Sequence, residues 1–195
     1  MSRKSPLFVL FITIFIDLLG FGIIIPVLPN FAKSLGASGF IVTVIAGIYS
    51  LFQFIFGPFW GTLSDRLGRR PIILVSILVT ALSYILIGFS ESIILLLISR
   101  SLSGIGSANI SAANAYIADI STPENRTKNM GMIGAAFGLG FIFGPIIGGY
   151  LFKDFGMLGV GLFTAGLCFI NLIMAWFLLP ESLTTFDKDA AFRFK

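Results

Sequence analysis

The chain has no histidine and a single cysteine, and only 11% of its 195 residues are charged. Without histidine there is no side chain whose ordinary titration falls between pH 5 and 8, and no imidazole base, so any proton chemistry must use carboxylates. The lone Cys168 excludes a disulfide framework and a thiolate metal cluster; inside an apolar run it reads as a small core residue. No nucleophile, base and orienting group come together in any loop, so an enzyme is not expected. The low charge sits beside 56% hydrophobic residues and a mean hydropathy of +1.00. Soluble domains average about 45–50% apolar and about 25% charged, so these values describe a polytopic membrane protein. A pI near 9.5 and a net charge of +4 do not indicate nucleic acid, because the basic residues gather at the ends of apolar spans, where they act as a topology signal.

The organising stretch is Gly61-Thr62-Leu63-Ser64-Asp65-Arg66-Leu67-Gly68-Arg69-Arg70-Pro71. Its four charges lie between two long apolar segments, and Arg and Asp are costly in hydrocarbon, so the loop belongs at a membrane face. Gly68 is expected to take a positive φ, and Pro71 to begin the third span where a helix tolerates it. Spans are predicted at about 7–29, 40–63, 71–90, 93–118, 130–152 and 157–180, each able to cross about 30 Å at 1.5 Å per residue. The first is read as an uncleaved span, too long for a signal-peptide core and without a small-residue cleavage site. Residues 1–182 then form a six-helix bundle, and 183–195 a cytoplasmic tail or the start of a linker. With the Arg-rich loop inside, ten of the thirteen basic residues are cytoplasmic, which predicts cytoplasmic N and C termini.

Two internal echoes suggest inverted three-helix repeats. Gly57-Pro58-Phe59-Trp60-Gly61 in the second span matches Gly144-Pro145-Ile146-Ile147-Gly148 in the fifth, and a mid-span charge occurs in the first (Asp17) and the fourth (Arg100). Copies separated by three spans enter the bilayer from opposite sides, a design that transporters use.

Asp17 lies about 15 Å from the cytoplasmic face and Arg100 about 12 Å below the outer one. Both should therefore face the bundle interior, paired with each other or lining water, either as a proton or substrate site or as a structural ion pair. Arg100, Gly104, Ser107, Ser111 and Asn114 share one face of the fourth span, while Asn109 falls opposite, as a helix-packing contact. Ala46, Ser50, Gln53, Gly57 and Gly61 form a similar face of the second span, with Gln53 at cavity depth or in interhelical hydrogen bonding. In the fifth span Gly134 and Gly138 give one small-residue face, and Gly140, Gly144 and Gly148 another, so backbones can approach on two sides. Gly149 adds to this density, and Pro145 permits a bend; Pro26 and Pro29 are expected to bend or end the first span. In the loop, Asp65 is expected to cap a helix N-terminus, with Arg66, Arg69 and Arg70 reaching Asp119.

These residues resemble the major facilitator superfamily, and within it the proton-coupled drug antiporters that include the tetracycline exporters. Gly61 to Arg70 resembles the signature loop between the second and third helices. Asp17-Leu18-Leu19-Gly20-Phe21-Gly22 through Pro26 to Pro29 looks like the first-helix motif of the drug exporters, and Arg100-Ser101-Leu102-Ser103-Gly104 like the fourth-helix motif. Gly138 through Gly149 is similar to the antiporter motif of the fifth helix. The resemblance implies that Asp17 and Arg100 serve proton coupling, and that Asp65, Arg66, Arg69, Arg70 and Asp119 form a cytoplasmic charge network. It implies half of a twelve-helix carrier, exporting small amphipathic compounds from a bacterial inner membrane, driven by the proton gradient without a cofactor. Its partners would be the lipid bilayer, a small-molecule substrate, and a second six-helix half from the same or another chain. A nutrient or sugar symporter or uniporter of the same superfamily, or a non-transporting six-helix membrane module, are the alternatives.

Overall fold

In hydrocarbon every backbone amide must find an internal partner, and a long apolar chain does so most simply as helix. The computed structural model describes the backbone of residues 4–183 and the side chains of 6–183, and over that range the chain is helical with short connections. Helix α1 spans Lys4–Ser34, α2 Gly39–Leu67, α3 Arg69–Gly88, α4 Ile93–Gly106, α5 Ile110–Ile120 and α6 Pro123–Leu178. Helices α4 and α5 are joined through a 3₁₀ turn at Ser107–Asn109. Counting Ile93–Ile120 as one element, five helices among the described residues are long and apolar enough to cross a membrane.

Helix α1 is the most enclosed, and it packs chiefly against α6. Glycine allows this: a Cβ at Gly140 would stand 2.9 Å from the Leu18 backbone, and one at Gly144 would stand 2.6 Å from Gly22. At Gly148 it would run into the Ile23 carbonyl. Helix α6 is broken at Gly156, whose φ of 63° and ψ of −163° interrupt the helical path. Beyond that break, Gly161 meets Gly88 of α3, and Asn171 accepts a 3.0 Å hydrogen bond from Thr13 in the heart of α1. Cys168 is buried, in the core position its sequence context indicated.

Three expectations need correction. Pro26 and Pro29 neither end the first helix nor separate it into pieces; it continues to Ser34. The connection expected over 119–129 shrinks to Ser121 and Thr122, because Pro123 sits in the first turn of α6, where its missing N–H costs nothing. The fifth and sixth stretches, expected as separate spans, are divided by the kink at Gly156. Finally, the glycine helix is approached on one side: around Gly134, Gly138 and Gly149 an added Cβ would meet nothing within 4 Å, and Pro145 is exposed. All of the expected tail at 183–195 except Leu183 lies outside the described residues, Lys188, Arg193 and Lys195 included.

The two glycine faces make opposite predictions. In the chain purified in detergent, Gly144→Ala should lower the thermal midpoint by the equivalent of about 1–3 kcal/mol, the usual cost of overpacking. Gly138→Ala should hold or raise it by up to about 1 kcal/mol through helix propensity.

Candidate functional site

Asp17 and Arg100 both lie inside the bundle, with only 3% and 1% of their surface exposed. They do not form an ion pair. The partner of Asp17 is Asn109, whose Nδ2 donates to Oδ2 at 2.9 Å. Asn109, expected opposite the Arg100 face as a packing contact, meets the Asp17 carboxylate of α1, the helix that also supplies Phe21 to Arg100. The 3₁₀ turn advances the chain by about 120° per residue in place of about 100°, which changes the facing of side chains beyond it.

Arg100 finds aromatic faces instead. Its Cζ lies 4.6 Å from the Tyr49 ring centroid and 6.0 Å from that of Phe21. Gly104, one turn along α4, brings the two helices close enough for this, since a Cβ there would run into the Tyr49 carbonyl. A desolvated cation on aromatic faces gains about 2 kcal/mol, which offsets part of the several kcal/mol lost on leaving water. Among the described residues Asp17 Oδ1, Asn109 Oδ1, Arg100 Nε and Nη1, and the Tyr84 hydroxyl are buried without a hydrogen-bond partner. A buried carboxylate and guanidinium with unused bonding capacity form a site able to bind a proton or exchange partners, because neither charge is locked to the other.

Beside this cluster is a cavity of about 270 Å³, lined by α1, α2, the 3₁₀ turn, α5 and α6. Phe21, Tyr49 and Phe137 supply aromatic wall, and Gln53, Ser107 and Ser111 supply polar groups. Gln53 donates to the Ser107 carbonyl at 3.1 Å and to the Tyr49 hydroxyl at 3.4 Å. Ser111 donates to the Gly57 carbonyl at 2.8 Å, tying α5 to α2. Asn114 is half-buried and does not line this cavity.

A second cluster surrounds the turn at Gly68, where φ is 104°. The turn delivers Arg69 inward: its Nη1 pairs with Asp65 at 2.6 Å, its Nε with Asp119 at 3.2 Å, and Nη1 also donates to Ser64 at 2.6 Å. Arg66 occupies the last turn of α2. Asp65 therefore pairs with a side chain, and the carboxylate at the N-terminus of α3 is Glu181, which accepts from the backbone N–H groups of Arg69 at 3.0 Å and Arg70 at 3.1 Å. Arg70 does not reach Asp119; it donates to the Trp176 carbonyl at 2.6 Å and lies over the Trp176 ring. Tyr116 donates to the Pro180 carbonyl at 2.6 Å, and Ser182 to Asp119 at 3.1 Å. The segment after α6 is thereby strapped over the ends of α3 and α5.

Sequence reasoning missed Tyr49, Glu181 and the carboxylate contact of Asn109. Glu181 follows Pro180 at the end of the last apolar run, and an acidic residue there is a recognisable candidate cap for a neighbouring helix. Tyr49 carried no comparable signal.

The family described as Major Facilitator Superfamily matches residues 10–192. The chain is 44% identical over 138 residues to the tetracycline resistance protein, class B, of Escherichia coli, covering 69% of this chain and 34% of that protein. It is 36% identical over 188 residues to multidrug resistance protein 2 of Bacillus subtilis (strain 168), covering 96% of this chain and 47% of that protein. Among solved structures, the human organic anion transporter MFSD10 (TETRAN) superposes with a TM-score of 0.83 at 28% identity, over 97% of this chain and 50% of that one. The chain thus spans about a third to a half of the length of the relatives it matches.

The Glu181 contact is testable. Glu181→Ala leaves two α3 amides without their acceptor, and loss of such a cap costs about 1–2 kcal/mol. Amide hydrogen exchange at Arg69 and Arg70 should accelerate by about fivefold to thirtyfold, the same free energy as a ratio.

Proposed function

Because this chain belongs to the major facilitator superfamily, an integral membrane transporter family, we propose that it is the N-terminal half of a proton-coupled antiporter exporting small amphipathic compounds. The observation that carries the reading is a buried Asp17 held by a neutral amide beside a buried Arg100 with no carboxylate partner among the described residues. A proton arriving at the Asp17 carboxylate removes the only negative charge that the described residues place in that cluster. The hydrogen bond from Asn109 then loses its charged acceptor, and Arg100 is left as an uncompensated cation. Such a change in a low-dielectric interior is large enough to bias one packing of the bundle over another. The names of the relatives, resistance to tetracycline and to multiple drugs, support export as the direction. The aromatic cavity with Gln53, Ser107 and Ser111 suits an amphipathic occupant, and Asn114 would line the pathway nearer the cytoplasmic end.

In this reading the fold is six spans in two inverted three-helix repeats. The break at Gly156 and the Gly57-Pro58 and Gly144-Pro145 echo support it. Residues 1–182 form the bundle and 183–195 lead into a linker or tail. The network of Gly61, Asp65, Arg66, Gly68, Arg69, Arg70 and Asp119 latches the cytoplasmic side, and Gly144 and Gly148 make α6 a packing pivot on α1, while Gly138, Pro145 and Gly149 of the same motif lie on its open side. The chain would sit in a bacterial inner membrane with both termini inside, as its basic residues favour. A complementary six-helix half completes the substrate path, and the proton gradient supplies the energy without a cofactor.

The complete transporter in energised everted vesicles should release lumenal protons when tetracycline or a lipophilic dye cation is added. Asp17→Asn should reduce that release to background while the protein remains folded by circular dichroism. Substrate movement with no proton release in the parent protein would refute the coupling.

A further inference from the structure

The cavity and the charge cluster are neighbours that do not communicate. Phe21 and Tyr49 line the cavity, and the same two rings lie against Arg100. They stack on each other, with centroids 4.7 Å apart and planes at 27°. Asp17 and Arg100 line no part of the cavity. Two further contacts hold the rings. Phe141 of α6 meets Phe21 edge-on at 5.9 Å, and Gln53, a cavity residue, donates to the Tyr49 hydroxyl.

We propose that Phe21 and Tyr49 are positioning residues for coupling: an aromatic partition that separates the substrate cavity from the Asp17 and Arg100 cluster, anchored on the cavity side by Gln53. The proposal rests on the reading of Asp17 as the proton-binding group. Its physical basis is that among the described residues Arg100 has no ionic partner and two unbonded donor atoms, so water entering from the cavity would solvate it at once. The stacked rings block that entry and at the same time supply the electron-rich faces that hold the cation. An occupant with a hydrogen-bond acceptor can take the Gln53 amide away from Tyr49, and a flat apolar body can insert against Phe21 and Phe137. Either contact loosens the partition, which links an occupied cavity to an accessible carboxylate. The titratable groups within electrostatic reach of this cluster are Tyr49 of α2, Tyr84 of α3, Arg100 of α4 and Cys168 of α6. Of these only Tyr49 also faces the cavity.

The test reads solvent access to Asp17 directly. The complete transporter carrying this half is treated in detergent, at fixed pH, with a water-soluble carbodiimide and an amine, and labelling of the Asp17 peptide is followed by mass spectrometry. The parent should label slowly, and Phe21→Ala faster by about tenfold or more, as expected when local closure is lost. Tyr49→Phe, which keeps the ring and removes the Gln53 anchor, should label faster by about threefold. Phe21→Trp, which keeps the bulk, and Phe163→Ala, a similar truncation on an exposed part of α6, should label like the parent. Parent labelling of Asp17 as fast as that of the exposed Glu124 overturns the partition. So does a Phe21→Ala rate equal to the parent's, or a Phe163→Ala rate equal to that of Phe21→Ala. Since labelling does not depend on what the carboxylate is used for, failure of the partition is distinguishable from failure of proton coupling in vesicles.

Discussion

The structure depends on keeping two opposite charges inside a bundle without joining them. A charged side chain is costly in hydrocarbon, and the simplest remedy is an ion pair. Here Asp17 takes an amide and Arg100 takes two aromatic faces. That arrangement requires close backbones, because short groups such as the Asn109 amide reach only when helices nearly touch. The glycines meet the requirement: Gly104 brings α4 against Tyr49, and Gly144 and Gly148 press α6 onto α1. Mid-bundle glycine is thus the condition under which a carboxylate and a guanidinium can be buried and still remain available.

The helical stretch Ile93–Ile120 connects this interior to the loop end. It carries Arg100 and Asn109 in the middle and Asp119 at its end, where Asp119 meets Arg69. A rigid rod would transmit any rotation at the cluster directly to that ion pair. The 3₁₀ turn at Ser107–Asn109 lies between the two sites, and a mid-helix stretch of this kind is a common place for a hinge. Gln53 bonds to the carbonyl of Ser107 within that turn. Cavity, charge cluster and loop network therefore all draw on this one stretch, through Ser107, Arg100 with Asn109, and Asp119.

Much of this was legible in the sequence, for identifiable reasons. Hydropathy and charge placement located the apolar stretches, since lipid imposes a coarse rule that needs no partner information. The turn at Gly68 was legible because glycine between two helical stretches is the residue that takes a positive φ without a Cβ penalty. Inward placement of Asp17 and Arg100 followed from the cost of exposing them. Their partners did not. A wheel drawn at 100° per residue assumes uniform winding, and three residues of 3₁₀ helix ending at Asn109 alter it. The prolines misled for a related reason: each removes one amide donor, from the carbonyls of Gly22 and Ile25, and the packing of α1 against α6 carries the helix through to Ser34. Glu181 needed tertiary knowledge, since it acts on amides more than a hundred residues away in sequence.

The distribution of exposed surface carries the last step. The apolar window of α1 is 67% buried within the bundle, while that of α2 is only 11% buried. The side chains α2 shows outward, among them Phe40, Phe54 and Leu51, are apolar and suit lipid or another apolar protein face. The cavity beside α2 is different, because Gln53 and Ser111 do not suit hydrocarbon. A surface that is apolar over most of its breadth but polar along one recess fits a bundle whose open side faces protein or water while its back faces the bilayer. The polar recess lies next to the Tyr49 ring that covers Arg100, so whatever closes that side also controls access to the buried charge.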